Sequence, residues 1–276
     1  MSGGAGDPRG PEAEPITSPH NPRVRALVEL RDRRGREEAG RILIEGGREV
    51  LRALRSGVAV KTAFVAEDGC RTPECEEALS LARDGGVEIV RLGQRAFERA
   101  AFGDRVEGIL AIAVPPATTL ADLDPPADPL VVVLEGVEKP GNLGAVLRTA
   151  DGAGADAVIV TGSGSDLFNP NAIRASLGTI FAVPVASATP DEALAWLRAR
   201  GIRVVAARVD APTDYTAADL CGGIAIALGS EAGGLSAAFD APDVVAVRLP
   251  MHGIADSLNV SVTAAVLLYE ARRQRA

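Results

Sequence analysis

The residues from Val244 to Tyr269 constrain this chain more than any other stretch. An apolar run, Val244–Leu249, is long enough for a buried strand, and Pro250 and Gly253 break it into a loop. Asp256, Ser257 and Asn259 then supply helix start signals, with Leu258, Val262, Ala265 and Leu268 following at three- and four-residue spacing. A strand turning through a polar loop into a helix places Ser257, Asn259 and Ser261 at a helix N-terminus. Unpaired backbone N–H groups gather there, and ligands bind. The same pattern also fits an ordinary capped helix closing an α/β domain, so the rest of the chain has to decide.

At 276 residues the chain has room for two domains, each with its own core. Hydrophobic content of 47% suits a soluble globular protein. No apolar run nears the roughly 20 residues of a membrane span. The first twenty residues are rich in Gly, Pro and acids and lack the apolar core of a signal peptide, which predicts a disordered tail on a cytoplasmic protein. Cys70, Cys75 and Cys221 form no CxxC pair, and His20 and His252 are the only histidines. A structural zinc site is therefore not expected, nor any other metal, and the three cysteines are expected as free thiols.

The net charge of −8 argues against nucleic acid, but it is unevenly spread. Between Asn21 and Gly57 ten arginines face six acids, a local excess of +4. Such a segment on an acidic protein can bind phosphate backbones. Equally, Arg31-Asp-Arg-Arg-Gly-Arg-Glu-Glu38 reads as a solvated helix end with internal ion pairs.

Taken in order, the spacing predicts a helix over Asn21–Arg34, a strand over Arg41–Glu45 and a helix over Arg48–Ser56. Strand Thr62–Ala66, helix Pro73–Asp84, strand Val87–Val90, helix Gln94–Ala101 and strand Gly108–Val114 follow, a small α/β sandwich over 21–114. Five prolines within residues 115–129 mark a linker and the domain boundary. The second domain, 130–276, opens on Leu130–Leu134, continuously apolar as a strand buried on both faces should be. A turn over Glu135–Gly144 leads to a helix ending at Asp151. Strand Ala157–Val160, a helix started by Asn169-Pro170, strand Phe181–Val185, helix Asp191–Arg200, and strands Arg203–Ala207 and Ile224–Leu228 precede the closing stretch. The fold class is α/β, an open, mostly parallel sheet with helices on both faces.

Three stretches of this domain run from a strand's C-terminal end into a Gly-rich polar loop: Leu134–Arg148, Leu228–Ser236 and Leu249–Ser261. Ligands of open α/β sheets bind outside those strand ends. Pro140 and Asn142 break any GxGxxG in the first loop, which weighs against a nucleotide oxidoreductase, and no GKS or GKT follows for a phosphate loop. Asn142 has the chemistry of a helix cap. Arg148, six residues on, must meet an acid or face an anion, since arginine is rarely buried unpaired. Glu231 lies between Gly229 and Gly233-Gly234, where backbone can approach a ligand closely or simply make a surface turn.

Together, LEGVEKPGNLGAVLRTA, LGSEAGGLS and LPMHGIADSLNVSVTAAVLLYE resemble the three signature motifs of the TrmH/SpoU branch of the SPOUT RNA 2′-O-ribose methyltransferases. The basic start, ITSPHNPRVRALVELRDRRGREEAGRILIEGGREV, is more loosely similar to the L30e-like substrate-binding domain often fused ahead of it. The resemblance implies a deep trefoil knot, S-adenosylmethionine (SAM) bound by the knot loops, and a homodimer whose active site lies at the interface. Carried onto this chain, it implies a cofactor pocket at Gly229, Leu249 and Leu258, with Met251 and Ser257 beside them. The catalytic positions become Asn142, Arg148, Glu231 and Asn259, and Arg174 aligns with an arginine that handles substrate RNA. Arg31, Arg33, Arg34 and Arg36 are expected to contact RNA phosphates. The implied substrate is ribosomal RNA, 23S foremost, with transfer RNA as the alternative; a binding module that kept the fold without catalysis is the rival class. Because guanidinium stays protonated, Arg148 is expected to clamp a phosphate and stabilise developing alkoxide charge rather than act as the base.

Overall fold

Asn21 starts the first ordered helix, its side chain accepting the Arg23 N–H, with Pro22 at the position where a missing donor costs little. The computed structural model describes residues 14–102, 107–162, 165–231 and 233–276. It divides into two compact units, Met1–Leu54 with Val60–Val114, and Arg55–Ala59 with Pro115–Ala276. Most of the expected tail, residues 1–13, lies outside the described residues. Its end is ordered, however, because Ile16 pairs in parallel with Leu92 and extends the sheet edge there.

In the first unit the elements are α1 (Pro22–Glu29), α2 (Arg33–Ala39), β1 (Ile42–Glu45), α3 (Gly47–Arg55), β2 (Val60–Ala66), α4 (Pro73–Asp84), β3 (Glu88–Leu92), α5 (Gln94–Ala100) and β4 (Ile109–Ala113). The single helix expected over 21–34 is two. α1 closes at Leu30, and α2 turns back so tightly that a Cβ on Gly35 would overlap the Glu29 carbonyl. The sheet order is β1-β4-β2-β3, with β2 and β3 parallel and the other pairs antiparallel. Leu27, Leu43, Phe64, Leu92 and Phe97 fill the core on one face. Cys70 and Cys75 are not free thiols: they form a disulfide, and only Cys221 stays free. Four intervening residues hide the pair from a CxxC search, but the Thr72-capped first turn of α4 brings their Cα atoms to 5.3 Å, within disulfide range.

In the second unit the chain runs β5 (Leu130–Glu135), α6 (Pro140–Ala153), β6 (Ala157–Thr161), α7 (Pro170–Ala175), β7 (Val185–Ala188), α8 (Pro190–Ala199), β8 (Arg203–Ala207), β9 (Thr213–Asp214), β10 (Ile224–Leu228), β11 (Val244–Arg248) and α9 (Val260–Gln274). Every pairing in the order β7-β6-β5-β10-β8-β11-β9 is parallel. Alternate residues of β5 serve opposite faces. Val131 and Val133 join Trp196 and Leu197 of α8 in one core, while Val132 and Leu134 are buried on the other side, where α6, α7 and α9 pack together. That packing depends on Gly144, because a Cβ there would sit 2.5 Å from the Ala172 carbonyl oxygen.

Several boundaries differ from the sequence reading. α6 starts at Pro140, so Asn142 lies in its first turn and not in a preceding loop. Phe181 belongs to a 3-10 turn over Thr179–Phe181, and Pro184, which has no donor for the ladder, delays β7 to Val185. The core stripe of α9 is Val260, Ala264, Leu267, Leu268 and Ala271, which leaves Leu258 and Val262 exposed. The proline-rich segment is folded onto this unit: Leu123 is buried in its core, and the Thr118 carbonyl accepts from Ser187. Among the described residues no helix is long and apolar enough to cross a membrane.

Candidate functional site

Parallel strands end on one side of a sheet, so the loops after β5, β8, β10 and β11 emerge at a shared edge. The loop after β10 folds back on itself through a bridge between Ser230 and Gly234. Gly229 makes that fold possible, for a Cβ there would overlap the Gly234 backbone, and Gly234 takes a positive φ of 62°. Between this loop and the one after β11 lies an open cavity of about 480 Å³. All five expected cofactor residues, Gly229, Leu249, Met251, Ser257 and Leu258, line it.

At the cavity's border the three motifs meet on one carboxylate. Glu231 Oε2 accepts from Lys139 Nζ at 2.7 Å, and Oε1 accepts from Asn142 Nδ2 at 3.0 Å and Asn259 Nδ2 at 2.7 Å. Asn259 also donates to Asn142 Oδ1 at 3.2 Å, while its own Oδ1 accepts the Ser261 N–H and caps α9. Lys139 precedes α6 and Asn259 precedes α9, so two helix N-termini flank the carboxylate. The two helices run side by side in parallel, since Asn142 touches Asn259 at one end and Gly152 neighbours the Tyr269 hydroxyl at the other. Their dipoles favour negative charge at that end. The Lys139 ammonium first, then the Asn142 amide, hold the Glu231 carboxyl below its ordinary 4.5. Glu231 is thus an ionised anchor that orients two amides.

Arg148 is exposed on α6 and makes no hydrogen bond or ion pair among the described residues. Six residues of helix turn its side chain about 120° away from that of Asn142. The acid or anion expected for it is not in this chain's own cluster. Arg174 is partly buried in α7, with its Nη1 lacking any partner among the described residues. The four arginines expected to meet RNA divide. Arg36 is buried, and Nη1 donates to the Leu30 and Arg31 carbonyls. Arg31 donates to the Arg99 and Ala101 carbonyls at the end of α5 and lies over the Phe102 ring. These two are consumed by the fold, where helix ends left carbonyls to satisfy. Arg33 and Arg34 remain at the surface, paired with Glu37 and Glu38 one helical turn on.

The sequence reading missed Lys139, whose signal was its place one residue before the helix-starting Pro140. It also missed Arg208, which lines the cavity and pairs with Asp240. Asp210 and Asp256 line the same cavity with no charged partner among the described residues. Apolar walls at Leu249 and Leu258 with uncompensated carboxylates suit a ligand that joins a flat ring to positive charge, which fits the aromatic base and sulfonium of SAM. Among the described residues no cluster of metal-ligating side chains occurs.

Residues 129–269 match the SpoU rRNA Methylase family, and residues 21–111 match the MRM3-like substrate binding domain. The chain is 30% identical over 257 residues to the Bacillus subtilis 23S rRNA (guanosine(2553)-2′-O)-methyltransferase RlmP, covering 93% of this chain and 98% of that one. A crystal structure of an RNA 2′-O ribose methyltransferase superposes with a TM-score of 0.82 at 42% identity, over 95% of this chain and 99% of the other. The AdoMet-bound rRNA methyltransferase of Sinorhizobium meliloti gives a TM-score of 0.85 at 30% identity, over 94% and 97%.

Proposed function

The chain belongs to the SpoU rRNA Methylase family, and from that premise we propose how its residues serve the reaction and on which RNA. It is a SAM-dependent RNA ribose-2′-O-methyltransferase. The substrate we assign is 23S rRNA, the RNA named for the Bacillus subtilis relative. The observation that carries the catalytic reading is the convergence of Asn142 and Asn259 on Glu231 beside the cavity.

SAM supplies an electrophilic methyl group. Gly229, Leu249, Met251, Ser257 and Leu258 would hold the cofactor, and Asp210 and Asp256 would complement its positive charge. Methyl transfer to a hydroxyl gains most from holding nucleophile and electrophile in line at about 3–3.5 Å. Glu231 fixes Asn142 and Asn259 as rigid polar groups for that alignment. With its oxygens taken up by three donors and its proton affinity lowered, it is a poor general base. Arg148 clamps the phosphate next to the reacting ribose and stabilises charge developing on the 2′-oxygen, whose proton passes to a substrate phosphate or water.

Arg148 reaches a site from another copy of this chain. The support is its exposure and free guanidinium, together with the exposed apolar side chains Leu258, Val262 and Tyr269. In this reading the protein is a homodimer with shared active sites, located in the cytoplasm with its RNA. The double-back of the loop after β10 and the return of α9 beside α6 support a trefoil knot. Residues 21–114 form the RNA-binding domain, 115–129 the connection and 130–276 the catalytic domain. Arg174, with a buried nitrogen unsatisfied, and Arg33 and Arg34, at the surface, are the arginines we assign to RNA. The test is mapping of ribose methyls in ribosomal and transfer RNA from cells with and without the gene. Loss of one 23S methyl supports the assignment; loss confined to transfer RNA overturns the substrate.

A further inference from the structure

Glu135, the last residue of β5, is the one charged side chain buried among the described residues of the second unit. Burying a carboxylate is costly unless donors meet it. Its Oε2 accepts the Ser236 backbone N–H at 2.6 Å, across 101 residues of sequence. Leu134 pairs with Leu228, so Glu135 ends its strand level with Gly229. The carboxylate therefore reaches from the point where the loop leaves β10 to the point where it returns. Between those points lie Gly229, Ser230, Gly233, Gly234 and Leu235 of the cavity wall, and Glu231 of the amide cluster. Among the described residues, internal bonds hold the middle of this loop, with Gly234 N donating to the Ser230 carbonyl and Gly233 N to Ser230 Oγ. Its far end, at Ser236, is held by Glu135 at the N–H, while Arg208 Nη2 donates to the Ser236 carbonyl at the longer distance of 3.4 Å.

We propose that Glu135 is a positioning residue for the methyl transfer, stapling the return of the 229–236 loop so that the cofactor wall and Glu231 are set together. Glu135 does not line the cavity, so its effect on the cofactor wall passes through the Ser236 N–H. What the staple requires is an acceptor oxygen at the end of a glutamate-length arm. Glu135→Gln keeps an amide oxygen there, Glu135→Asp falls short by one methylene, and Glu135→Ala removes the acceptor and strands the Ser236 N–H.

The inference rests on the reading of this cavity as the SAM site, and two measurements on the full-length protein separate the two. Hydrogen exchange at the Ser236 amide reports the staple without any ligand. SAM titration calorimetry reports the pocket. We expect at least about tenfold faster Ser236 exchange and at least about tenfold weaker SAM binding in Glu135→Ala, a smaller loss of both in Glu135→Asp, and values within about threefold of wild type in Glu135→Gln. If Glu135→Ala does not fold, the Gln and Asp variants carry the same contrast. Wild-type exchange and affinity in a folded Ala or Asp variant overturns the proposal, as does a Gln variant impaired as severely as Ala. A wild-type protein that takes up no SAM, yet shows the exchange contrast, overturns the cofactor reading and leaves the staple standing.

Discussion

The two units put similar polar side chains to opposite uses. In the second, Asn142, Glu231 and Asn259 come from three distant stretches and meet at one point, outside the core. In the first, arginines crowded into one short stretch disperse: Arg31 and Arg36 satisfy helix-end carbonyls, and Arg33 and Arg34 stay outside with acids. The difference lies in the scaffold. A parallel sheet collects its loops at one edge whatever their spacing in sequence, whereas a helical turn sends neighbouring residues to different faces. Convergence of motifs therefore marks out a candidate site where local charge density alone does not.

The largest effect that could break this contrast is at Arg148. Arg148→Ala should abolish turnover, by about a thousandfold or more, while leaving SAM affinity near wild type; a matching loss of both in single-turnover and binding assays would make Arg148 part of the cofactor pocket. Arg148→Lys separates charge from fork geometry, and near-normal activity there would mean charge alone suffices. Next comes Glu231→Ala, which frees both amides and should cost on the order of a hundredfold in kcat. A folded variant with wild-type kcat would show that the cluster is not catalytic. The lowered Glu231 pKa fixes the sign of the pH dependence. Its ionised form is stabilised above the ordinary 4.5 and is lost only as pH falls through the lower folded value. Glu231 should thus add no acid limb near neutrality to a pH–rate profile.

Smaller effects sharpen the other side. Arg36→Ala strands the Leu30 and Arg31 carbonyls and should destabilise the protein by about 1–3 kcal/mol in denaturant unfolding, with the salt dependence of RNA binding unchanged. Arg34→Ala should do the reverse, leaving stability within about 0.5 kcal/mol and reducing the salt slope by about one. If both variants alter the slope equally, the division drawn between these arginines fails.

How far the sequence could be read follows the same line. The second unit's strands were legible because β5, β6 and β10 are continuously apolar. The meeting of Asn142, Glu231 and Asn259 was legible as a candidate site because they stand in motifs that resemble a known family. The face of α9 was not: Leu258 and Val262 satisfy a helical period as well as the true stripe through Val260 and Ala264. Glu135 escaped notice because one acid ending an apolar run looks like a strand meeting solvent. Lys139 carries no signal beyond its place one residue before Pro140, and the Cys70–Cys75 bond is hidden by a spacing that the Thr72 turn brings into range. Arg36 misled because charge predicts exposure until a helix end claims it.

In the function proposed here, the glycine-built loop after β10 and the loop after β11 enclose one SAM site. Calorimetry with SAM on wild type and on Gly229→Val tests it most directly, since any side chain at 229 would overlap Gly234. One SAM per chain is expected for the wild type and none detectable for a folded Gly229→Val variant. Equal uptake by both, or no uptake by the wild type with or without RNA, would contradict it.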